Sequence, residues 1–274
     1  MRHLLSGLVA GAALLGLLAA CSTTPAPQTP ASVLATQARG AMVNANRASQ
    51  QQRWDDAAVQ WQAALSLFQA MDDWGGQGEA RLGLAYAQVK MHQPANAVKT
   101  LAPMDSTLFR PVQRAQAGYQ LALLAMPDTQ MADAALAHAR SVCSADCAIA
   151  PQLDNLDARI HLQQGDAAGA LGLANGVLAR GEGVPMVERA HALRLVAQIR
   201  LQQGQPAAGW QALQQGIVMD RTLANPLWLA DDFALQLDLA GAMADQALAE
   251  DARVRLRSVC EVVAASGCER VAAH

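Results

Sequence analysis

The tetrapeptide LQQG occurs at Leu162 and again at Leu201, opening the related stretches LQQGDAAGALGLANGV and LQQGQPAAGWQALQQGI, 39 residues apart. This constrains the fold more than any other feature, because self-similarity at a period of about 20–50 residues belongs to arrays of one supersecondary unit. The same lag runs backwards through the chain. Gln77, Gln116, Asn155 and Arg194 fall in one column, and Arg81, Gln120, Arg159 and Gln198 in the next. Each column is polar four times running, and the residues between are mostly Ala and Leu. Positions three or four apart share a helix face. Four successive helices therefore carry a polar stripe at the same place.

From Val33 onward, apolar residues recur three and four apart, and the breaks carry Gly, Pro or Asp. Alanine and glutamine dominate and β-branched residues are sparse, which suits helices. With 274 residues, 52% of them hydrophobic and 16% charged, the chain can build a sizeable core. A single unit of this kind cannot bury its apolar face, and stacking neighbours does so. About six helical pairs fit between Val33 and the C-terminus.

The residues resemble the tetratricopeptide repeat family. The stretch WDDAAVQWQAAL places Trp54, Ala57, Trp61 and Ala64 at the spacing of that family's second helix. LGLAY supplies Leu82, Gly83 and Tyr86 as in its first helix, although Ala97 follows Tyr86 by two residues more than the family spacing. Gly165, Ala170 and Val177 form a weaker unit, as do Gly204, Gly209 and Gly216. The period near 39 exceeds the family's 34, so longer turns or longer helices must absorb about five residues per unit. The resemblance implies an all-α fold: a right-handed, TPR-like α-solenoid of antiparallel helix pairs over residues 33–268. A plain helical bundle is the alternative. In the family, first helices line a concave groove that binds peptide segments. By that likeness Arg81, Gln120, Asn155, Arg159, Arg194 and Gln198 are partner-binding groove residues. Amides can both donate to and accept from a peptide backbone, and arginines can clamp a carboxylate. A solvated outer face would carry the same stripe. Trp54, Trp61, Tyr86 and Trp210 are expected to pack between helices.

The N-terminus reads as an address. Met1–His3 carries Arg2, Leu4–Ala20 is apolar but for Ser6, and the run ends Leu18-Ala19-Ala20-Cys21. This resembles the bacterial lipobox, which implies a signal peptide over residues 1–20, cleavage before Cys21 and acyl chains on that cysteine. Two chains already hold a protein stably at a membrane. Ser22 rather than Asp after the cysteine is read by the lipoprotein sorting rule as favouring the outer membrane, periplasmic side, over the inner membrane. Residues 21–32 include STTPAPQTPAS, an extended tether of roughly 3 Å per residue. Residues 269–274 are expected to form a flexible tail.

Apart from Cys21 there are four cysteines: Cys143, Cys147, Cys260 and Cys268. An even count in an oxidising compartment suggests two disulfides, with three pairings possible. A metal site using Cys143, Cys147 and His138 is the alternative, but it lacks an obvious fourth ligand.

A net charge of −3 with no basic stripe argues against nucleic acid as a partner, and aromatics at 4% leave little for base stacking. WGGQGEAR lacks the ending a phosphate-binding loop needs, and neither His-Glu-x-x-His nor Gly-x-Ser-x-Gly occurs. The acid pairs Asp55-Asp56, Asp72-Asp73 and Asp231-Asp232 sit near expected helix starts, where negative charge suits the helix dipole. The expectation is a non-enzymatic scaffold without cofactors. It would be held to the membrane through Cys21 and bind envelope proteins or peptide segments. A direct cell-wall glycan binder or an envelope enzyme is the alternative.

Overall fold

A three-residue step between helices, repeated along the chain, sets the architecture. The computed structural model describes residues 32–143 and 147–271. The expected signal segment 1–20, Cys21 and the tether up to residue 31 lie outside the described residues, as do residues 272–274. The described α-helices are α1 (Val33–Gln50), α2 (Trp54–Ala70), α3 (Trp74–Lys90), α4 (Pro94–Leu101), α5 (Pro111–Ala125) and α6 (Thr129–Val142). They continue with α7 (Ala150–Gln163), α8 (Ala167–Ala179), α9 (Met186–Gln202), α10 (Pro206–Thr222), α11 (Pro226–Ala242) and α12 (Gln246–Cys260). No strand occurs among them.

The connections 51–53, 71–73, 91–93, 164–166, 203–205, 223–225 and 243–245 share one design. Their middle residues Gln52, Asp72, His92, Gly165, Gly204, Ala224 and Ala244 all take left-handed backbone. A left-handed residue just past the last turn returns amides to the helix's orphan carbonyls and stops it. The third residue then starts the next helix. Asp73, Asp166 and Asp245 accept from the N–H groups of Gly76, Gly169 and Leu248, and Asn225 accepts from Leu227. Where that residue is Gln93 or Gln205, a proline follows at the first helical position. Proline presets the backbone there and has no amide to leave unpaired. So short a step returns the chain antiparallel to itself.

The result is an all-α array of six helix pairs, α1/α2 to α11/α12, packed in order. The odd helices also touch in succession, α1 on α3, α3 on α5, and so on to α11. They form one continuous layer, with the even helices fitted against it. Buried alanines and leucines fill the crossings, and the core passes from pair to pair as linked clusters. Trp61 is buried against Gly83, where an added Cβ would lie 2.3 Å from the indole. Ala57 and Ala64 are fully buried on the same face of α2. Trp54 meets Tyr86 edge-on at 5.7 Å between ring centroids, and Tyr86 keeps an exposed face.

The long period has two sources. Part is connection: the 3-10 turn Ala102–Asp105 follows α4, and another, Gly181–Gly183, follows α8. Part is helix length, since α9, α10 and α11 each run 17 residues.

Two disulfides join sequence neighbours, Cys143 to Cys147 between α6 and α7, and Cys260 to Cys268 at the end of α12. They replace the metal alternative: His138 Nε2 instead lies 2.9 Å from Asp105 Oδ1. No group of three side chains able to hold a metal occurs among the described residues. Helix α12 stops at Cys260, and the 3-10 turn Ser266–Arg270 folds back onto α11. The boundary expected at residue 269 falls inside this turn, and Arg270 is ion-paired to Asp238. None of the described helices is long and apolar enough to cross a membrane.

Candidate functional site

The 39-residue columns land on α3, α5, α7 and α9, all first helices of their pairs. Their side chains do two different jobs. Several tie one unit to another. Gln120 donates to the Leu82 carbonyl of α3 at 3.4 Å, and Gln113, outside the columns on the same helix, donates to the Gly75 carbonyl at 2.8 Å. Asn155 reaches α9, donating to the Glu188 carbonyl and to Glu188 Oε2, each at 2.9 Å. Arg81 instead acts within its own pair, donating to the Thr100 carbonyl of α4 at 3.1 Å. An amide or guanidinium bonded to a neighbouring helix fixes the spacing between helices without any partner.

Arg194 is the most committed of these side chains. Its Nη2 lies 2.6 Å from Asp220 on α10, and its Nε 2.6 Å from Asp232 on α11. Both acids are fully buried. The expectation that Asp231-Asp232 stands at a helix start is therefore corrected. Asn225 caps α11, and the acid pair sits a turn further in, where Asp232 serves the ion pair rather than the dipole. Burial, then the nearby Asp232 charge, push the Asp220 carboxyl up to about 7 against the pull of Arg194.

The remaining polar residues face a cleft of about 580 Å³ in the odd-helix layer. Helix α5 contributes Tyr119, α7 contributes Asn155 and Arg159, and α9 contributes Glu188, His191, Arg194 and Gln198. Helix α11 adds Trp228, Asp231 and Asp238, and the 3-10 turn closes the end with Ser266 and Arg270. Four of the six expected groove residues, Asn155, Arg159, Arg194 and Gln198, thus share one cleft. Arg81 and Gln120 do not line it.

The cleft's charges are partly spent. Glu188 is pushed up by burial, but His191, Asn155 and Gln152 together hold it below the usual carboxylate range. Asp238 is taken by Arg270, and His191 stands edge-on to Trp228 at 4.9 Å. Asp231 lies 3.4 Å from Ser266 Oγ, and burial raises its carboxyl despite Arg194. Tyr119 is raised by burial and by Glu188, with Arg159 opposing. Among the described residues, the Tyr119 hydroxyl, the Arg159 guanidinium, the Gln198 amide and the Trp228 indole N–H make no hydrogen bond. Four unengaged groups of the cleft can therefore donate, while Asn155 Oδ1 is left as an acceptor without a donor among the described residues.

Tyr119, Trp228 and the closing turn were not among the expected site residues. Tyr119 lies three residues after Gln116 of the column, so its helix face was legible while its outward direction was not. The turn reaches the cleft only because the chain reverses after α12. No protein-family model and no curated protein matches the chain.

Proposed function

We propose that the chain is a TPR-like lipoprotein scaffold, anchored through acylated Cys21 to the periplasmic face of the bacterial outer membrane. Its odd-helix cleft takes up a segment of an envelope protein. What carries the reading is the convergence of Arg159 and Gln198 with Tyr119: one side chain from each of three successive first helices, on one cleft, unengaged by hydrogen bonds among the described residues. Tyr119 and Gln198 are half-buried, and half-buried polar groups are costly to leave unpaired; Arg159 beside them is an exposed charge open to a partner. The lipobox-like LAAC and the proline-bearing stretch after it support the anchor and the tether.

The test is site-specific photo-crosslinking in cells. A crosslinker at Gln198 is expected to capture a defined protein, and one at Val218, exposed on α10, is not. Equal capture at both positions, or none at either, refutes the cleft as the partner site. Cys21→Ser is expected to release the protein from the membrane fraction.

A further inference from the structure

On the footing that this cleft is the partner site, we infer that its ligand is a proline-rich, acidic segment in the polyproline II conformation. The side chains facing the cleft recur in step with the stack. Tyr119, Arg159, Gln198 and Asp238 follow one another at lags of 39 or 40 residues, on α5, α7, α9 and α11. Consecutive odd helices touch, and packed helices lie about 8–10 Å apart. A ligand laid along the cleft therefore meets a rung about every 9 Å.

Regular backbones differ in how they match that step. A β-strand presents the same face every two residues, about 6.6 Å. Polyproline II presents it every three residues, about 9.3 Å. An α-helix presents the same face every turn, about 5.4 Å. Of the regular backbones only polyproline II keeps the register.

Hydrogen-bond polarity agrees. Four unengaged groups of the cleft can donate: the Tyr119 hydroxyl, Arg159, the Gln198 amide and the Trp228 N–H. A polyproline II backbone has no internal hydrogen bonds, and proline has no N–H to offer. Such a ligand presents carbonyls almost alone. Arg159 is exposed and has no ion pair among the described residues, so an acidic side chain at its rung completes the match.

The experiment measures fluorescence anisotropy of labelled ten-residue peptides against the full chain at low salt. A repeat of Pro-Pro-Glu is expected to bind at least ten-fold more tightly than Pro-Pro-Lys and than an alternating Val-Glu strand former. Arg159→Gln, with helical content checked by circular dichroism, is expected to weaken the Pro-Pro-Glu peptide about ten-fold, the scale of one charge-assisted bond. Equal binding of the strand former, unchanged affinity in Arg159→Gln, or no binding of Pro-Pro-Glu overturns the inference. If Gln198 crosslinking still captures a protein while Pro-Pro-Glu fails, the scaffold stands and the ligand class falls. If both fail, both fall.

Discussion

Replacing Asp220 by Asn should remove a pH dependence built into the end of the array. Arg194 stands between two fully buried carboxylates, each 2.6 Å away, and one guanidinium cannot neutralise both. Asp220 Oδ1 and Asp232 Oδ2 find no donor among the described residues. A proton held between the two acids satisfies both oxygens and leaves the trio neutral overall. This agrees with an Asp220 carboxyl raised to about 7, first by burial and then by Asp232. In the unfolded chain an Asp titrates near 3.9. Between those values the folded protein holds a proton that the unfolded chain has released. Stability from this group is therefore present at low pH and is lost as pH rises through 7. Integrated from pH 5 to pH 8, the loss is about 2–3 kcal/mol. Asn imitates the protonated acid, accepting from Arg194 through its oxygen and donating to Asp232 through its amide, and it does not titrate. The stability of Asp220→Asn minus that of the wild type should thus increase by about 2–3 kcal/mol between pH 5 and pH 8. Urea unfolding followed by far-ultraviolet circular dichroism, at constant ionic strength across that range, measures it. Other titrating groups cancel in the difference. A difference that does not change with pH, or that changes with the opposite sign, refutes the shared proton.

Three further outcomes follow from the packing. Gly83→Ala drives a methyl into the Trp61 ring and should cost about 1–3 kcal/mol, read as a lower Tm, with part of the loss restored by adding Trp61→Leu. Ala244 is held in left-handed backbone at φ 54°, so Ala244→Gly should stabilise the protein by roughly 0.5–1 kcal/mol; a lower Tm would contradict the turn design. Cys268→Ser opens a short loop closed from Cys260 and should cost about 2.5 kcal/mol in the loop-entropy model. Hydrogen exchange should quicken at residues 266–270 and stay unchanged in α1–α4.

Local chemistry was enough to write the helical array into the sequence. Periodic Ala and Leu, aspartates before helix starts and Gly or Pro between them act over a few residues, and the 39-residue lag announces that one unit is copied. Gly83 opposite Trp61 was readable for the same reason: both belong to one repeat pattern. The fate of each polar side chain was not. Gln120 and Arg159 occupy the same column, yet one bonds to a carbonyl of α3 and the other faces an open cleft. The difference lies in what the neighbouring helices bring to each side chain, and the column cannot carry that. Asp232 looked like a dipole partner until α11 was seen to begin at Pro226 and to bring it against Arg194, 38 residues away. Sequence alone determined that helices would stack and which of their faces would be polar, because those are properties of short segments. Only the packed array decided which polar groups were used up in holding it together and which were left for a partner, because that depends on contacts between units.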